Sequence, residues 1–583
     1  MGGSELIDRH AIAEIFEQCG TLLELKGENP FRCNAYHNAA RAIERLEGSL
    51  EQMLASGDLA KVKGIGTTIV EKVAEIVRTS RLEFHEELLR ATPPGLIEML
   101  RINGLGPKRI KLMHDELGID SLPSLRQAID DGRLAKMKGF GSKSVQKILE
   151  AILFLDRAGK RVLLPTAIGW ANRLMEPLRQ HPDVRRISLC GSLRRGRDTI
   201  KDIDILVASE RPDELMTLFT TLPEVAQVVA HGSTKSSVIL DCGMAADLRI
   251  VTSAQFPFAL HYFTGSKEHN VAVRSLAQSK GYKLNEYELV GPDGPIPCDA
   301  EADIFRALGL DFIPPELRED TGEIESATRG EIPFLLERAD ITGVFHCHTT
   351  ASDGQNSLEE MALACQSHGY SYLGIADHSQ SAFYANGLSA DRIAEQHRQI
   401  DQLQKKMPSF RIFKGVESDI LADGSLDYPD TVLASFDYVV ASIHQPMNMS
   451  APEMTRRIIR AISHPRCTML GHPSGRLLLQ RDAYPMDVEE ILKAAARYGT
   501  LIEINANPRR LDLDWVHCKR AKALGVKLVI NPDAHATSGF DDVEFGVTTA
   551  RRGWQTKDDV FNTQHVDAIE QRLAWLRNRA PAD

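Results

Sequence analysis

Histidines and carboxylates recur through the C-terminal half of this 583-residue chain. Nearly all of them end a short apolar run and begin a turn, and the set is His346, His348, Asp353, Asp377, His378, Glu417, His444, His472, Asp533 and His535. Side chains two apart on a strand share a face, so His346 and His348 can converge. Single histidines of this kind are usually hydrogen-bonded core residues, as we expect for His464 and His517. Ligands at the ends of successive strands build barrel active sites, and the repetition therefore predicts a multi-metal hydrolytic centre.

A second group of carboxylates lies upstream in KDIDILV and ADLRIV. Asp202 and Asp204 are two apart on a predicted strand, and Asp247 begins another. Three carboxylates on one sheet repel each other unless cations lie between them, and hard oxygen ligands suit Mg²⁺ or Mn²⁺. Two such ions can hold the attacking and leaving oxygens of a phosphoryl transfer.

The residues that precede the Asp202/Asp204 pair help to distinguish a metal site from a solvated Asp-x-Asp on an edge strand. An isolated Asp-x-Asp is commonly a solvated feature of an edge strand. Here Gly191 and Ser192 allow a triphosphate to approach closely, and Arg195 offers a bidentate fork for phosphate oxygens. The combination favours a nucleotide-binding metal site.

The first 160 residues are helical and contain a threefold repeat. The copies are LAKVKGIGTTIVEKV, LRINGLGPKRIKLM and LAKMKGFGSKSVQKIL, roughly 35 to 40 residues apart. Each places two glycines in a tight turn before a helix, whose free N–H groups can bind a phosphate. One copy could be purely structural, but three resemble helix-hairpin-helix motifs, which bind DNA backbones without reading sequence. The expected DNA-binding glycines are Gly64, Gly66, Gly104, Gly106, Gly139 and Gly141.

Length and composition bound the remaining possibilities. A chain of this length predicts about three to five domains. The nine cysteines form no CxxC pair, MGGSELIDRH is not ordered like a signal peptide, and no apolar run could span a bilayer. We therefore expect a cytoplasmic protein with no membrane partner. The net charge of −11 argues only weakly against nucleic acid, because basic clusters persist at 108–111, 136–138 and 194–197.

The pattern of elements predicts a multidomain α+β and α/β protein. Strands begin near residue 160 with RRISLCGS, DIDILVA, VIL and ADLRIV, and TGEIESATRGEIPFLLER reads as a linker or short connecting helix. Seven candidate strands alternate with helices in the C-terminal half, which is compatible with a distorted (βα)7 barrel.

With these motifs in order, residues 1 to about 318 resemble family X DNA polymerases, the group that includes DNA polymerase beta. Residues from about 339 onward resemble the PHP (polymerase and histidinol phosphatase) domain, and the combination looks like the bacterial family X form. The resemblance implies six regions. They are a lyase-like helical domain with the first hairpin at 1–85, a helical DNA-binding subdomain with the second and third hairpins at 86–158, a nucleotidyltransferase palm with a mixed sheet at 159–255, a C-terminal polymerase subdomain at 256–318, a linker at 319–338 and the PHP domain at 339–583.

The polymerase resemblance implies roles for individual residues. Asp202, Asp204 and Asp247 would hold two metals, and Ser192 and Arg195 would bind the incoming triphosphate. Further nucleotide contacts are implied within YFTGS and the next helix, at Tyr262, Phe263, Gly265, Ser266, Asn270 and Arg274. YFTGS would help to exclude a 2′-hydroxyl. Lys201 and Lys267 depart from the animal pattern and add positive charge near the nucleotide.

The PHP resemblance implies nine ligands around about three ions, which Mn²⁺, Zn²⁺ or iron would suit. The nine are His346, His348, Asp353, His378, Glu417, His444, His472, Asp533 and His535. Glu417 is the expected bridging ligand. Such ions activate water for attack on a phosphodiester. Arg476 either steadies the phosphate or forms an ion pair. Lys72 matches a Schiff-base lysine of lyase-active relatives, although an ordinary surface lysine is the simpler interpretation.

The sequence thus predicts a DNA polymerase that binds gapped, primer-template or abasic DNA and uses dNTPs to fill short gaps in base excision repair. Its PHP site would act as a 3′-5′ exonuclease, process blocked 3′ ends and incise at abasic sites, and we expect a monomer. One alternative is a PHP phosphoesterase that a polymerase-like module anchors to DNA. Another is a non-catalytic DNA-binding scaffold with structural metals.

Overall fold

A computed structural model describes residues 9–577 except 45, 47–49, 63, 80, 101, 103 and 160. The predicted helices, strands and site residues lie within these ranges. The N-terminal residues 1–8, on which the expectation about a signal peptide rests, and both outer domain limits lie outside the described residues. The chain divides into two compact units, Met1–Gly159 and Lys160–Asp583.

The first unit is helical, as predicted. Its α-helices within the described residues are α1 (Arg9–Lys26), α2 (Pro30–Glu44), α3 (Leu50–Ser56), α4 (Thr67–Thr79), α5 (Glu83–Arg90), α6 (Pro94–Met99), α7 (Pro107–Leu117), α8 (Leu122–Asp130) and α9 (Ser142–Ala158). Their apolar faces share one core that includes Phe16, Ile76, Met113 and Phe140. Each glycine turn of the repeat leads directly into a helix, namely α4, α7 or α9.

The second unit begins with the sheet that carries the Asp pair. Its elements are β1 (Val162–Leu163), α10 (Leu164–Gln180), β2 (Arg186–Leu189), α11 (Gly191–Arg194), β3 (Thr199–Ile200), β4 (Asp202–Ala208), α12 (Pro212–Thr220), β5 (Val225–His231), β6 (Lys235–Leu240) and β7 (Ala245–Val251). The main sheet has the order β2-β4-β7-β6-β5 and is mixed, because β4 and β7 are parallel and the other pairs antiparallel. Helices α10 and α12 cover one face with apolar side chains.

A smaller subdomain follows the sheet. It contains α13 (Phe256–Thr264), α14 (Lys267–Ser279), β8 (Lys283–Leu284), β9 (Leu289–Gly291), β10 (Gly294–Ile296), α15 (Glu301–Ala307) and α16 (Glu323–Arg329). Helix α16 lies in the segment interpreted as a linker or connecting helix. Its Ile324 and Ala327 pack in the same core as Ile304 and Phe305 of α15, so this stretch is part of the subdomain's packing.

The remaining residues form a parallel seven-stranded sheet in the order β11 to β17. The elements are β11 (Gly343–Val344), α17 (Leu358–Ser367), β12 (Tyr372–Ile375), α18 (Ala390–Lys406), β13 (Arg411–Asp419), α19 (Asp430–Leu433), β14 (Tyr438–Ser442), α20 (Ala451–Ser463), β15 (Met469–Leu470), α21 (Val488–Tyr498), β16 (Leu501–Asn505), α22 (Trp515–Ala523), β17 (Leu528–Asn531), α23 (Val543–Arg552) and α24 (Val566–Arg577). A bridge between Cys347 and Ala534 brings the first and last strands together, which nearly closes the barrel. The predicted fold class, with its seven strands, is confirmed.

Within the described residues, no helix combines the length and apolar character that crossing a membrane requires.

Candidate active sites and nucleic-acid interface

The sheet brings two of the three predicted polymerase carboxylates side by side. Strands β4 and β7 pair in parallel with Asp204 opposite Asp247 and Asp202 opposite Ala245. Residues paired in this way point to the same face, and Asp202 shares that face because it lies two residues before Asp204. Ile203 and Ile205, which alternate with the carboxylates, are buried in the core on the other face.

Asp204 is half-buried, as is Asp247, whereas Asp202 is exposed. Burial, reinforced by the negative charges of Asp202 and Asp247, raises the pKa of Asp204 to about 6. Gly191 lies against it with a left-handed backbone (φ +60°), and a Cβ at that position would lie 2.3 Å from Asp204 Oδ2. The glycine therefore lets the 190–195 segment approach the carboxylate of Asp204, a contact that the sequence pattern did not indicate.

The third carboxylate, Asp247, forms an ion pair with a lysine. Its Oδ2 lies 2.7 Å from Lys235 Nζ, and the three carboxylates do not present oxygens that all lie within 4.8 Å of one another. Lys235 thus supplies part of the positive charge that three neighbouring carboxylates require.

Arg195, the predicted triphosphate ligand, is buried among protein partners. It donates to the backbone oxygen of Thr264, and its Nε lies 3.2 Å from Glu319 Oε1. Gly265, in the YFTGS motif, lies over this guanidinium, because a Cβ there would be 3.1 Å from Arg195 Nη1. The structure therefore joins the two predicted nucleotide motifs through Arg195, and Glu319 is a partner that the sequence did not reveal.

The other predicted nucleotide contacts lie on or beside α13 and α14. Tyr262 and Phe263 are half-buried, and Phe263 packs against Arg249. Asn270 donates from Nδ2 to the backbone oxygen of Tyr262 at 2.7 Å, which ties the two helices together. Of the other positions, Ser192 is half-buried, Ser266 caps α14 by accepting from the His269 N–H, and Arg274, Lys201 and Lys267 are exposed.

Of the two roles considered for Arg476, a phosphate contact or an ion pair, the structure shows an ion pair. Its Nη2 lies 2.9 Å from Asp198 Oδ2, and its Nε donates to the backbone oxygen of Arg510. The other Asp198 oxygen lies 3.1 Å from Nη1 of Arg552, a fully buried arginine of α23 that also lies 3.3 Å from Glu319. A network of charged side chains thus connects the turn at 194–198 to the barrel.

The barrel gathers all nine predicted PHP ligands at one end. Their nitrogen and oxygen atoms form four overlapping groups in which every ligand atom lies within 4.8 Å of the others. The groups are His348, Asp353, His378 and His535; His346, Glu417 and His472; His346, His348 and Asp533; and His378, Glu417 and His444. Glu417 belongs to two groups, as His346, His348 and His378 also do. Its two carboxylate oxygens face different histidines, because Oε1 lies 2.8 Å from His472 Nε2 and Oε2 lies 2.9 Å from His378 Nδ1. His472 and Asp533 have left-handed backbones (φ 25° and 53°), a strain that is typical of functional positions.

The chemistry of this cluster fits divalent cations. His348 is fully buried, and neither of its ring nitrogens makes a hydrogen bond to a described residue. Although burial lowers the pKa of His378 and His444, Glu417 and the neighbouring aspartates outweigh it and raise their pKa values to about 10 and about 9. The same negative potential attracts metal ions, whose binding releases those protons.

Two carboxylates beyond the predicted set orient the imidazoles. Glu503 of β16 is fully buried and lies 2.8 Å from His346 Nδ1, and Asp419 of β13 lies 2.5 Å from His444 Nδ1. A carboxylate on the second ring nitrogen fixes the tautomer and orientation of a metal-binding histidine. A charged residue inside an otherwise apolar barrel strand is a signal that could have identified Glu503 from LIEINAN.

Other residues near the cluster have different roles. Asp377 accepts hydrogen bonds from Thr349, Ser352 and Gln396, so it holds the loop after His348 and lies in none of the metal groups. Arg510, which the sequence analysis missed, has its Nε 3.5 Å from Asp533 Oδ2 and is the arginine beside the cluster.

The two histidines expected to lie outside the site do so. His464 and His517 pair with Asp430 and Asp514 at 3.1 Å and 2.8 Å, and neither belongs to a metal group. Both are partly exposed, so they are hydrogen-bonded as expected but are not core residues.

The six hairpin glycines are all exposed. Gly64, Gly104 and Gly139 have φ values of +98°, +89° and +91°, a conformation that strongly favours glycine. Open space surrounds Gly66, Gly106 and Gly141, so the helix starts that follow are accessible to a phosphate.

Arg109 and Lys72 make further contacts within the helical N-terminal unit. Arg109 joins the second and third hairpins, because it donates to the backbone oxygens of Gly104 and Gly139 and to Ser144 Oγ. Lys72 is partly buried on α4, with its Nζ 4.0 Å from the ring centre of Phe84.

Comparisons with known proteins cover both halves of the chain. Family profiles described as a helix-hairpin-helix domain, a SAM-like helix-hairpin-helix tandem, a DNA polymerase beta thumb and a PHP domain match residues 7–82, 96–152, 259–319 and 345–507. The DNA polymerase/3′-5′ exonuclease PolX of Bacillus subtilis is 39% identical over 566 residues, which is 96% of this chain and 98% of that protein.

Shorter proteins match part of the chain. A probable phosphatase of Thermoanaerobacter sp. (strain X514) is 33% identical over 29% of this chain and 71% of its own length, and one of Caldanaerobacter subterraneus is 27% identical over 40% and 91%. Because the Bacillus relative spans both halves, the comparison favours a polymerase over a phosphoesterase with a polymerase-like anchor. DNA binding, use of dNTPs and dependence on divalent metal ions follow from the matched domains. The chain belongs to the PolX family of DNA polymerase/3′-5′ exonucleases, which confirms the predicted resemblance and the predicted enzyme class.

Proposed function

We propose that this polymerase fills short gaps during base excision repair and that its PHP site prepares the 3′ end for extension. The observation that carries the proposal is the presence, in one compact unit, of the paired Asp204 and Asp247 and the nine gathered PHP residues. A damaged 3′ end must be cleaned before it can be extended, so the two activities are useful on the same DNA end.

In the polymerase site, Asp202, Asp204 and Asp247 would hold Mg²⁺ or Mn²⁺. Bound ions there would neutralise phosphate charge and activate the primer 3′-hydroxyl for attack on the α-phosphorus, with loss of pyrophosphate. Arg195 would bind the triphosphate, and Glu319 and Thr264 would fix the direction of its guanidinium until nucleotide arrives. The YFTGS residues, Asn270 and Arg274 would line the sugar and base side. Positioning and charge together supply the catalysis.

In the PHP site, the nine gathered residues would hold about three Mn²⁺ or Zn²⁺ ions with Glu417 as the bridge. Bound ions there would supply a nucleophilic water and stabilise the charge on the phosphodiester. Glu503 and Asp419 would orient the imidazoles, and Arg510 would approach the phosphate from the Asp533 side.

The six hairpin glycines would bind the DNA backbone and leave sequence unread. Lys72 would form a Schiff base with an abasic sugar only if it leaves the Phe84 ring, so lyase activity and incision at abasic sites are secondary parts of the proposal. We further propose that the protein acts as a monomer.

Two single substitutions in the full-length chain test the proposal. Asp202→Ala should reduce dNTP-dependent extension on gapped DNA by on the order of 100-fold or more and leave 3′-end shortening intact. His346→Ala should abolish 3′-end shortening and leave extension intact. His464→Ala is the matched control, because His464 lies outside the metal groups. Extension that survives Asp202→Ala, or shortening that survives His346→Ala, would contradict the assignment.

A further inference from the structure

Two adjacent aromatic side chains lie exposed at the mouth of the PHP cluster. Phe383 and Tyr384 form part of the 3-10 helix Phe383–Ala385 and are 88% and 66% exposed. The Tyr384 ring centre lies 6.2 Å from that of His378 and 6.1 Å from that of His444. The tyrosine therefore touches two of the gathered imidazoles while much of its surface faces solvent.

The exposure of this pair is fixed by the turn that carries it. Ala382 and Ala385, on either side, are buried, so the turn places its small residues inward and its rings outward. The Ser381 N–H donates to Asp427 Oδ2 at 2.7 Å on one side of the turn. On the other side, Asn386 has a left-handed backbone and donates to the backbone oxygen of Ala351 at 3.2 Å.

A nucleotide substrate needs one surface that binds its phosphate and another that binds its base. Ions held by the metal groups would provide positive charge for a phosphate, as Arg510 does, but neither offers a surface for the flat, apolar face of a base. Exposed aromatic rings bind unpaired bases by stacking, without preference for sequence. A base attached to a phosphate at the cluster lies within one nucleotide of it, and Tyr384, whose ring packs beside His378 and His444, borders the cluster.

We propose that Phe383 and Tyr384 form the stacking platform for the unpaired base of a DNA 3′ terminus that enters the PHP site. This inference rests on the proposed 3′-exonuclease function and adds a base subsite to it. The platform accepts any of the four bases, because each has a flat aromatic face. It positions the terminal nucleotide and takes no part in bond cleavage.

The test compares a single-stranded oligonucleotide that ends in a normal nucleotide with one that ends in an abasic residue, using full-length protein with Mn²⁺. Wild-type protein should show a KM about 5- to 100-fold lower for the normal end. Tyr384→Ala combined with Phe383→Ala should raise KM for the normal end to the abasic value with little change in kcat. Tyr384→Phe should retain the wild-type preference, because the ring is kept.

Phe334→Ala is the matched control, since Phe334 is 98% exposed and belongs to none of the metal groups. A second readout is independent of turnover: 2-aminopurine at the 3′ terminus of an oligonucleotide with a non-hydrolysable terminal linkage should be quenched on binding in the presence of Mn²⁺, and the double variant should lose that quenching. Primer extension by the same preparation reports that the variant is folded. Equal wild-type KM values for normal and abasic ends, or a double variant that keeps both the preference and the quenching, would overturn the platform. Absence of any shortening by wild-type protein would instead overturn the proposed exonuclease.

Discussion

The buried carboxylate of Glu503 should control how tightly the PHP site binds metal. Its Oε1 accepts from His346 Nδ1 at 2.8 Å and from Asn531 Nδ2 at 3.0 Å. Its Oε2 accepts from the His472 N–H at 2.7 Å and from Asn505 Nδ2 at 3.2 Å. Four donors therefore meet one carboxylate that is fully buried.

Glu503→Gln keeps the shape of the side chain but replaces one acceptor oxygen with an NH₂ group. Two of the four donors then face another donor, and the position of the His346 ring is no longer fixed. Loss of such an outer carboxylate typically costs about 10- to 100-fold in metal affinity, which corresponds to about 1.4 to 2.7 kcal/mol. The exonuclease should need correspondingly more Mn²⁺, whereas polymerase activity on gapped DNA should be unchanged.

The measurement is Mn²⁺ binding to dialysed protein, followed by 3′-end shortening as a function of Mn²⁺ concentration. Glu489→Gln is the matched control, because Glu489 is a surface carboxylate of the same barrel that pairs with Arg520 at 2.6 Å. If Mn²⁺ affinity in Glu503→Gln stays within about twofold of wild type while shortening is lost, the orienting role is refuted.

Two further predictions address stability and DNA binding. Glu301 pairs with the fully buried Arg318, and although burial raises the pKa of Glu301, Arg318 and Arg194 outweigh it and lower the pKa to about 2. Glu301→Gln should therefore reduce the free energy of unfolding in urea by about 3 kcal/mol at pH 7. The deficit should shrink as the pH falls from about 4.5 toward 2, because wild-type Glu301 then loses its charge too, and a deficit that does not change with pH would contradict the ion-pair explanation. Arg109→Ala should raise the Kd for gapped DNA on the order of tenfold by uncoupling the second and third hairpins. Arg133→Ala, which removes an exposed charge from the same unit, should change it much less, and equal effects would indicate that only charge matters.

The parts of the site that the sequence predicts correctly are those governed by local periodicity. The strand period of two places Asp202 and Asp204 on one face. Strand ends followed by turns mark a set of ten residues in the C-terminal half, and the family resemblance removes Asp377 from it to leave the nine PHP residues. The hairpin glycines are equally visible, because Gly64, Gly104 and Gly139 need a left-handed backbone that few other residues adopt. Each of these signals depends on residues close together in the chain.

The parts that the sequence does not predict depend on distant partners. Glu319 meets Arg195 across more than a hundred positions, and no local pattern marks it as a partner. Strand β5 was also missed, because nearly all of its residues are exposed, including Val228 and Val229, and an exposed edge strand shows no alternation of buried and exposed positions. The domain boundaries stay predictions. Local sequence gave no sign that α16, which lies in the segment assigned to the linker, packs against α15 in the core of the preceding subdomain.

The turn at 194–198 makes the two activities parts of one structure. Arg195, at one end of the turn, is the predicted triphosphate ligand, and Asp198, at the other, is held by Arg476 and Arg552 of the barrel. Between them, Gly196 lies so close to α23 that a Cβ would be 2.3 Å from Thr548 Cγ2. Because breaking an ion pair that is largely shielded from water is costly, the barrel cannot shift away from the five-stranded mixed sheet without moving this turn. The orientation of Arg195 therefore depends on contacts that the PHP domain supplies, and the barrel is part of the polymerase's architecture as well as a second active site.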